Sequence, residues 1–146
     1  MSKFLQAAAI AVVLFSLSPR VAPVSAQSTQ SGALHVTKEC SQDKGNAGDF
    51  CTITSTNLDQ IAVGAKVFYD QAAGVPAGLL DSNVVLDAGN GDRAIGHCTL
   101  DLNTGLGLCN FSDGTGQFAG FNARVNVTCT MQCSWDGTYS FNPPSK

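Results

Sequence analysis

The chain has 146 residues, of which 8 are Lys or Arg and 11 are Asp or Glu, and its formal net charge at pH 7 is -3. Binding to nucleic acid or to an anionic membrane surface depends on clustered basic side chains, so this sparse, scattered set argues against both kinds of partner. The length fits one domain of ordinary size.

The first 26 residues have the pattern of a signal peptide. Lys3 is followed by an almost entirely apolar run, 4–17, and the segment ends with small residues at Val24 and Ala26 that fit a signal-peptidase site. The run is shorter than the roughly 20 residues that a membrane-spanning helix needs. We therefore predict cleavage after Ala26, no membrane span, and a secreted or periplasmic protein exported from a bacterial cell.

The segment 27–33 is polar and rich in Ser and Thr, and we predict a disordered lead-in there. From residue 34 to residue 142, short runs of Val, Ile, Leu, Thr, Phe and Tyr alternate with Gly, Asn, Asp and Ser, without the 3.6-residue period of a helix. This pattern predicts a single all-β domain. Two prolines begin the predicted tail, 143–146.

Eight strands are predicted in this domain, and in chain order they are 34–40, 50–56, 61–69, 82–87, 93–102, 106–112, 121–130 and 134–141. Turn-forming sequences rich in Gly, Asn and Asp separate most of them. Eight antiparallel strands favour a closed barrel, because closure removes the exposed edges of the sheet. A β-sandwich is the alternative fold.

All six cysteines lie after the predicted cleavage site, which favours structural disulfides. Spacing favours bridges between the two strands of one hairpin, and the preferred pairs are Cys40–Cys51, Cys98–Cys109 and Cys129–Cys133. Directly opposed residues in an antiparallel pair lie about 4.5 Å apart between Cα atoms, close enough for a bridge, although a bulge at Gly105 would prevent the second pair. A metal site is disfavoured because no C-x₂-C pair is present, and redox chemistry remains the other alternative.

The sequence contains no strong catalytic motif, and we expect neither a cofactor nor a bound metal. His97 and Asp101 fall on one face of the predicted strand 93–102, as a general base oriented by a carboxylate would require. A polar strand face in contact with water is the favoured interpretation of this pair. Together with Arg124, these residues are the weak catalytic candidates.

An aromatic set near the end of the chain could line a pocket for an apolar ring, and its members are Trp135, Tyr139 and Phe141. These are the predicted ligand-binding residues. The alternative, which we favour, is that the three side chains belong to the hydrophobic core at the barrel wall.

The segment Gly114-Thr115-Gly116-Gln117-Phe118-Ala119-Gly120, followed by a strand and then by residues 136–141, resembles the allene oxide cyclase and dirigent-like β-barrel group. In that group a G-T-G-x-F/Y-x-G turn leads into one of the last strands. The resemblance covers residues 61–141 by pattern. It implies an eight-stranded antiparallel barrel, often with a hydrophobic cavity and sometimes oligomeric. The acidic and basic cavity residues of those enzymes have no counterpart here, so it implies no activity.

Three functions remain open for an exported small β-barrel of this kind. The sequence favours a non-catalytic protein that binds a small apolar ligand in the barrel or a partner on its surface. The alternatives are an isomerase or cyclase acting on a lipid-like or phenolic substrate, and a structural protein of the cell envelope. A cavity of about 300 Å³ or more, lined by apolar groups and one or two buried polar ones, would favour the first two, and a packed lumen would favour the third.

Overall fold

The computed structural model describes residues 30–142, which form eight β-strands and one turn of 3₁₀ helix. The strands are β1 (Gln30–Glu39), β2 (Phe50–Thr56), β3 (Lys66–Tyr69), β4 (Leu79–Asp87), β5 (Arg93–Asp101), β6 (Leu106–Gly114), β7 (Phe121–Cys129) and β8 (Cys133–Phe141), and the 3₁₀ turn is Gly116–Phe118. In this part of the chain, no helix is long and apolar enough to cross a membrane.

Each strand pairs antiparallel with the next strand in the chain, and β8 pairs antiparallel with β1, so the sheet closes on itself. The predicted eight-stranded antiparallel barrel with disulfide bridges is confirmed, and the sandwich alternative is wrong. Because successive strands alternate in direction, the connecting loops gather at two ends. The β1–β2, β3–β4, β5–β6 and β7–β8 loops form one end, which we call the mouth, and the other end is the base.

The largest differences between predicted and observed bounds are at the starts of β3 and β1, and β4 also begins earlier than predicted, at Leu79. β3 begins at Lys66 rather than at residue 61, because the segment 61–65 folds into tight turns in which the Ala65 N–H donates to the Ala62 carbonyl. The buried side chain of Ile61 therefore packs against the core from a loop.

β1 begins at Gln30, inside the predicted lead-in 27–33. Residues 30–33 pair with residues 138–141 of β8, since closing the barrel supplies a partner for these polar residues. The predicted signal peptide, residues 27–29 and the predicted tail 143–146 lie outside the described residues.

Aromatic side chains fill the base half of the lumen. The members of this base cluster are Phe111, Phe118, Phe121, Trp135 and Phe141. Ring centroids lie 5.3 Å apart between Phe111 and Trp135 and 5.6 Å apart between Phe118 and Phe121, within the range of favourable aromatic pairs. Gly116, with φ +57°, lets the chain turn after β6 so that the 3₁₀ turn inserts Phe118 into the base.

Candidate functional site

A cavity of about 280 Å³ opens at the mouth of the barrel. Its walls are mostly apolar and consist of Ala73, Leu80, Leu100, Leu102, Val127 and the six cysteines, together with Gly45 and Thr99. Asp43 lies on the lining and belongs to the β1–β2 loop, while Lys38 and Tyr69 belong to strands and are almost completely buried. Lys38 and Tyr69 therefore form the inner end of the cavity. We call the whole cavity the mouth cavity.

All three disulfides line the mouth cavity. They join Cys40 to Cys51, Cys98 to Cys109, and Cys129 to Cys133, the same pairs that the hairpin spacing predicts. In each case the bridge ties two neighbouring strands close to the loop that connects them. The shape of this end of the barrel is therefore fixed covalently.

The bridge between β5 and β6 depends on the turn that joins these strands. Gly105 adopts φ +71° and donates its N–H to the carbonyl of Asp101, so that one compact turn connects the two strands. Asp101 then pairs with Leu106, and Cys98 pairs directly with Cys109. The turn therefore leaves the two cysteines in register.

Lys38 is the most unusual residue of the site, because its side chain points into the barrel and is only 2% exposed. Its Nζ lies 2.5 Å from the hydroxyl oxygen of Tyr69, within hydrogen-bonding distance. The same atom lies 4.6 Å from the ring centroid of Trp135, where an ammonium gains from the π face. Among residues 30–142, no carboxylate forms an ion pair with Lys38.

Strand order explains why Lys38 and Tyr69 meet. β1 and β3 both end at the mouth, and both are neighbours of β2. Lys38 is the last but one residue of β1 and Tyr69 is the last of β3. The alternation of the strands turns both side chains inward, so they meet across the inner face of β2.

Burial changes the acid–base behaviour of both groups. It lowers the pKa of Lys38 from its ordinary value of 10.5 to about 7, although the nearby carboxylate of Asp43 acts in the opposite direction. Burial, with a smaller effect of Asp43, raises the pKa of Tyr69 well above its ordinary value. Near neutral pH the site therefore holds a protonated phenol and an amine that is uncharged in a large fraction of molecules. An uncharged amine accepts hydrogen bonds and is a nucleophile.

The structure does not bring the three catalytic candidates together. His97 lies on the outer face of β5, where its ring nitrogens contact Asp81 Oδ1 at 2.6 Å and Asn83 Oδ1 at 3.0 Å. Both ring nitrogens are therefore already in contact with side chains of β4. Asp101 accepts hydrogen bonds from two backbone N–H groups of the turn that follows it, and Arg124 is exposed on β7. The geometry thus gives no support to a catalytic role for these residues.

The predicted ligand-binding aromatics also do not line the mouth cavity. Trp135 is fully buried and is the member of the base cluster that contacts Lys38, while it also packs against Phe111. Tyr139 and Phe141 are partly buried in the base half, with ring centroids 6.0 Å apart. Their position fits the alternative interpretation, in which they belong to the core.

Lys38 and Tyr69 were not among the residues that the sequence singled out. A signal for Lys38 exists in the alternation of β1, since Leu34, Val36 and Lys38 share one strand face and the first two are plainly core residues. A lysine in phase with core residues near a strand end is the pattern to look for. Its contact with Tyr69 depends on strand pairing, which the local pattern does not contain.

No protein-family model matches the chain, and neither a curated protein nor a solved structure matches it significantly. The six cysteines are all paired in disulfides, and among residues 30–142 no group of His, Cys, Asp and Glu side chains is placed to hold a metal ion. The mouth cavity is therefore the candidate functional site of this protein.

Proposed function

We propose that this protein is an exported β-barrel that binds a small, mainly apolar molecule in the mouth cavity without transforming it. One observation carries the proposal: an apolar cavity of about 280 Å³ ends in a buried polar pair, Lys38 and Tyr69. Ligand sites combine mostly apolar walls with a few polar groups that orient the ligand. The occupant would place its polar end against Lys38 and Tyr69 and its apolar part between the disulfides.

The rim of the mouth carries several exposed apolar side chains among its polar loop residues. Exposed large hydrophobic side chains cluster at this end of the barrel, and they are Val75, Leu79, Leu102, Leu106 and Met131. Exposed apolar groups gathered at one place commonly mark sites of interaction. Their position supports entry of an apolar molecule through the mouth.

The two alternative functions have less support. An isomerase or cyclase needs an acid–base pair aimed at its substrate, whereas Lys38 and Tyr69 are hydrogen-bonded to each other. The carboxylate of Asp43 on the lining accepts a hydrogen bond from the Gly45 N–H of its own loop, at 2.9 Å. A purely structural protein has no need of an open cavity, and only the base half of this lumen is packed.

Export is supported by the cross-links. Three disulfides in a chain of this size are typical of proteins that leave the reducing cytosol. They agree with the prediction of a signal peptide and of a secreted or periplasmic location.

The size of the mouth cavity suggests a probe. One water molecule, which has one non-hydrogen atom, occupies roughly 30 Å³ in the liquid. On this basis the cavity holds about nine non-hydrogen atoms. Octan-1-ol has this size, an apolar chain and one neutral polar group. We would titrate it into the disulfide-bonded protein by isothermal titration calorimetry and expect saturable binding of one molecule per chain.

Two alanines provide a matched pair of variants. Ala73 and Ala88 are both partly buried and packed against the core, but only Ala73 lines the mouth cavity, while Ala88 lies in a loop at the base. Ala73→Phe should occupy part of the cavity and weaken octan-1-ol binding by at least about tenfold. Ala88→Phe should leave the affinity unchanged. Equal affinities in the two variants, or no saturable binding by the unmodified protein, would overturn the proposal.

A further inference from the structure

We propose that Lys38 forms a reversible imine with a small apolar aldehyde bound in the mouth cavity. This inference rests on the proposed function and specifies the chemistry of the ligand's polar end. It assigns to Lys38 a covalent role in place of a simple hydrogen bond.

The geometry around Nζ favours this reaction. Lys38 lines the mouth cavity from its inner end, so the polar end of a molecule that fills the cavity meets the amine. Among the described residues no carboxylate forms an ion pair with the amine, and the effect of Asp43, which favours the ammonium form, is smaller than that of burial. Its surroundings are the π face of Trp135, the hydroxyl of Tyr69 and the apolar cavity wall. Amines desolvated in such surroundings are the ones that proteins use to attack carbonyl groups.

The hydroxyl of Tyr69 is placed to move the protons of the reaction. The Nζ lone pair attacks the carbonyl carbon, so a C–N bond forms and the C=O π bond breaks. The oxygen takes a proton from Tyr69, which regains one from the nitrogen, and a carbinolamine results. A second proton transfer through the same hydroxyl releases the carbinolamine oxygen as water and leaves a C=N bond. The overall change is amine plus aldehyde to imine plus water, without an oxidant or a reductant.

A neutral carbonyl suits the site better than a carboxylate. Asp43 lines the same cavity, and its negative charge opposes the entry of an anion. Burial also favours the uncharged form of Lys38, which attracts an anion less than an ammonium ion would. An aldehyde needs no compensating charge and uses the uncharged amine directly.

The test uses octanal, which matches octan-1-ol in size and differs only at its polar end. The disulfide-bonded protein is incubated at pH 7 with octanal and cyanoborohydride, which reduces imines and leaves disulfides intact. Each trapped adduct raises the mass of a peptide by the mass of octanal less one oxygen atom. Peptide mapping then gives labelling rates for Lys38 and, as an internal control, for the exposed Lys44 and Lys66.

We expect Lys38 to be labelled at least about tenfold faster than either exposed lysine. Octan-1-ol should compete with labelling at Lys38 and leave labelling at Lys66 unchanged. In Tyr69→Phe, labelling of Lys38 should slow by about a hundredfold, since positioned acid–base groups contribute rate factors of this order. In Lys38→Met the adduct at position 38 should be absent, while Lys44 and Lys66 keep their labelling rates.

The outcomes separate the two proposals. If octan-1-ol binds but Lys38 is labelled no faster than Lys66, the imine is wrong and the binding function stands. If octan-1-ol does not bind and Lys38 is not labelled preferentially, both proposals fail. If Lys38 is labelled fast and octan-1-ol does not slow the labelling, the aldehyde reacts without binding in the mouth cavity. That result overturns the inference.

Discussion

Replacing the buried lysine with an apolar residue of similar length should change how the stability of the barrel depends on pH. In Lys38→Met the thioether side chain fills the same space without a titratable group. Lys38 loses its proton more readily in the folded protein than in the unfolded chain, because burial lowers its pKa from 10.5 to about 7. The unfolded state therefore binds more protons than the folded state between these two pH values.

The sign and size of the effect follow from this difference. The titration of Lys38 should raise the stability of the unmodified protein as the pH increases from 7 to 10.5 and leave it unchanged below 7, where both states carry the proton. Above pH 10 the ionisation of Tyr69 in the unfolded chain opposes this rise, because burial raises the pKa of Tyr69 in the folded protein. At about 1.4 kcal/mol per pH unit, the whole interval is worth about 5 kcal/mol. Lys38→Met removes the free-energy cost of taking the proton off the buried lysine. It also leaves the Tyr69 hydroxyl without its Lys38 partner, which costs about 2 kcal/mol. The variant should be more stable than the unmodified protein by about 3 kcal/mol at pH 7 and less stable by about 1 kcal/mol at pH 10.

The assay is urea unfolding at a series of pH values between 6 and 10, with the disulfides intact. All six cysteines are paired, so no thiol titrates in this range or starts disulfide exchange. Lys66→Met is the control, because Lys66 is an exposed strand lysine that also contacts an aromatic ring. It should keep the pH dependence of the unmodified protein. A flat profile for the unmodified protein, or the same rise in Lys38→Met, would refute the argument.

Three further predictions concern the site and the two ends of the barrel. The single tryptophan, Trp135, reports on Lys38 directly, and its fluorescence should titrate with a midpoint near pH 7 in the unmodified protein and not in Lys38→Met. Replacing both Cys98 and Cys109 with Ala should lower the free energy of unfolding by about 3 kcal/mol, as the chain-entropy model gives for a loop of this length, measured by urea denaturation. Phe118→Ala should lower it by about 3–5 kcal/mol, because the ring is fully buried, while calorimetry shows the affinity for octan-1-ol unchanged.

Most of the barrel could be predicted because its strands are local features. Short β-rich runs between Gly, Asn and Asp turns placed the eight strands within a few residues of their observed bounds. The segment 61–65 was predicted wrongly because buried apolar residues such as Ile61 fit a strand and a packed loop equally well. The start of β1 at Gln30 was missed for the opposite reason, since polar residues enter a strand when another strand, here β8, provides the partner.

The mouth cavity was harder to predict because it depends on how far the lumen is filled. The inward direction of Lys38 could be read from its phase with Val36. The depth of the cavity beside Lys38 could not be predicted. It depends on the base cluster and on the insertion of Phe118 by the 3₁₀ turn. The contact with Tyr69 joins residues 31 positions apart through the pairing of three strands. Membership of the allene oxide cyclase and dirigent-like group stays a prediction, because unrelated chains also form closed barrels.

The two ends of this barrel are held by different kinds of force. Every cross-link lies at the mouth, whereas the base relies on aromatic packing around Phe118 and Phe121. A reductant therefore acts on the mouth. Urea acts on noncovalent packing, which is all that holds the base together. Mild reduction should free the loops of the mouth and raise amide hydrogen exchange there before it affects the base. We therefore expect mild reduction to release a molecule held in the mouth cavity before it unfolds the barrel.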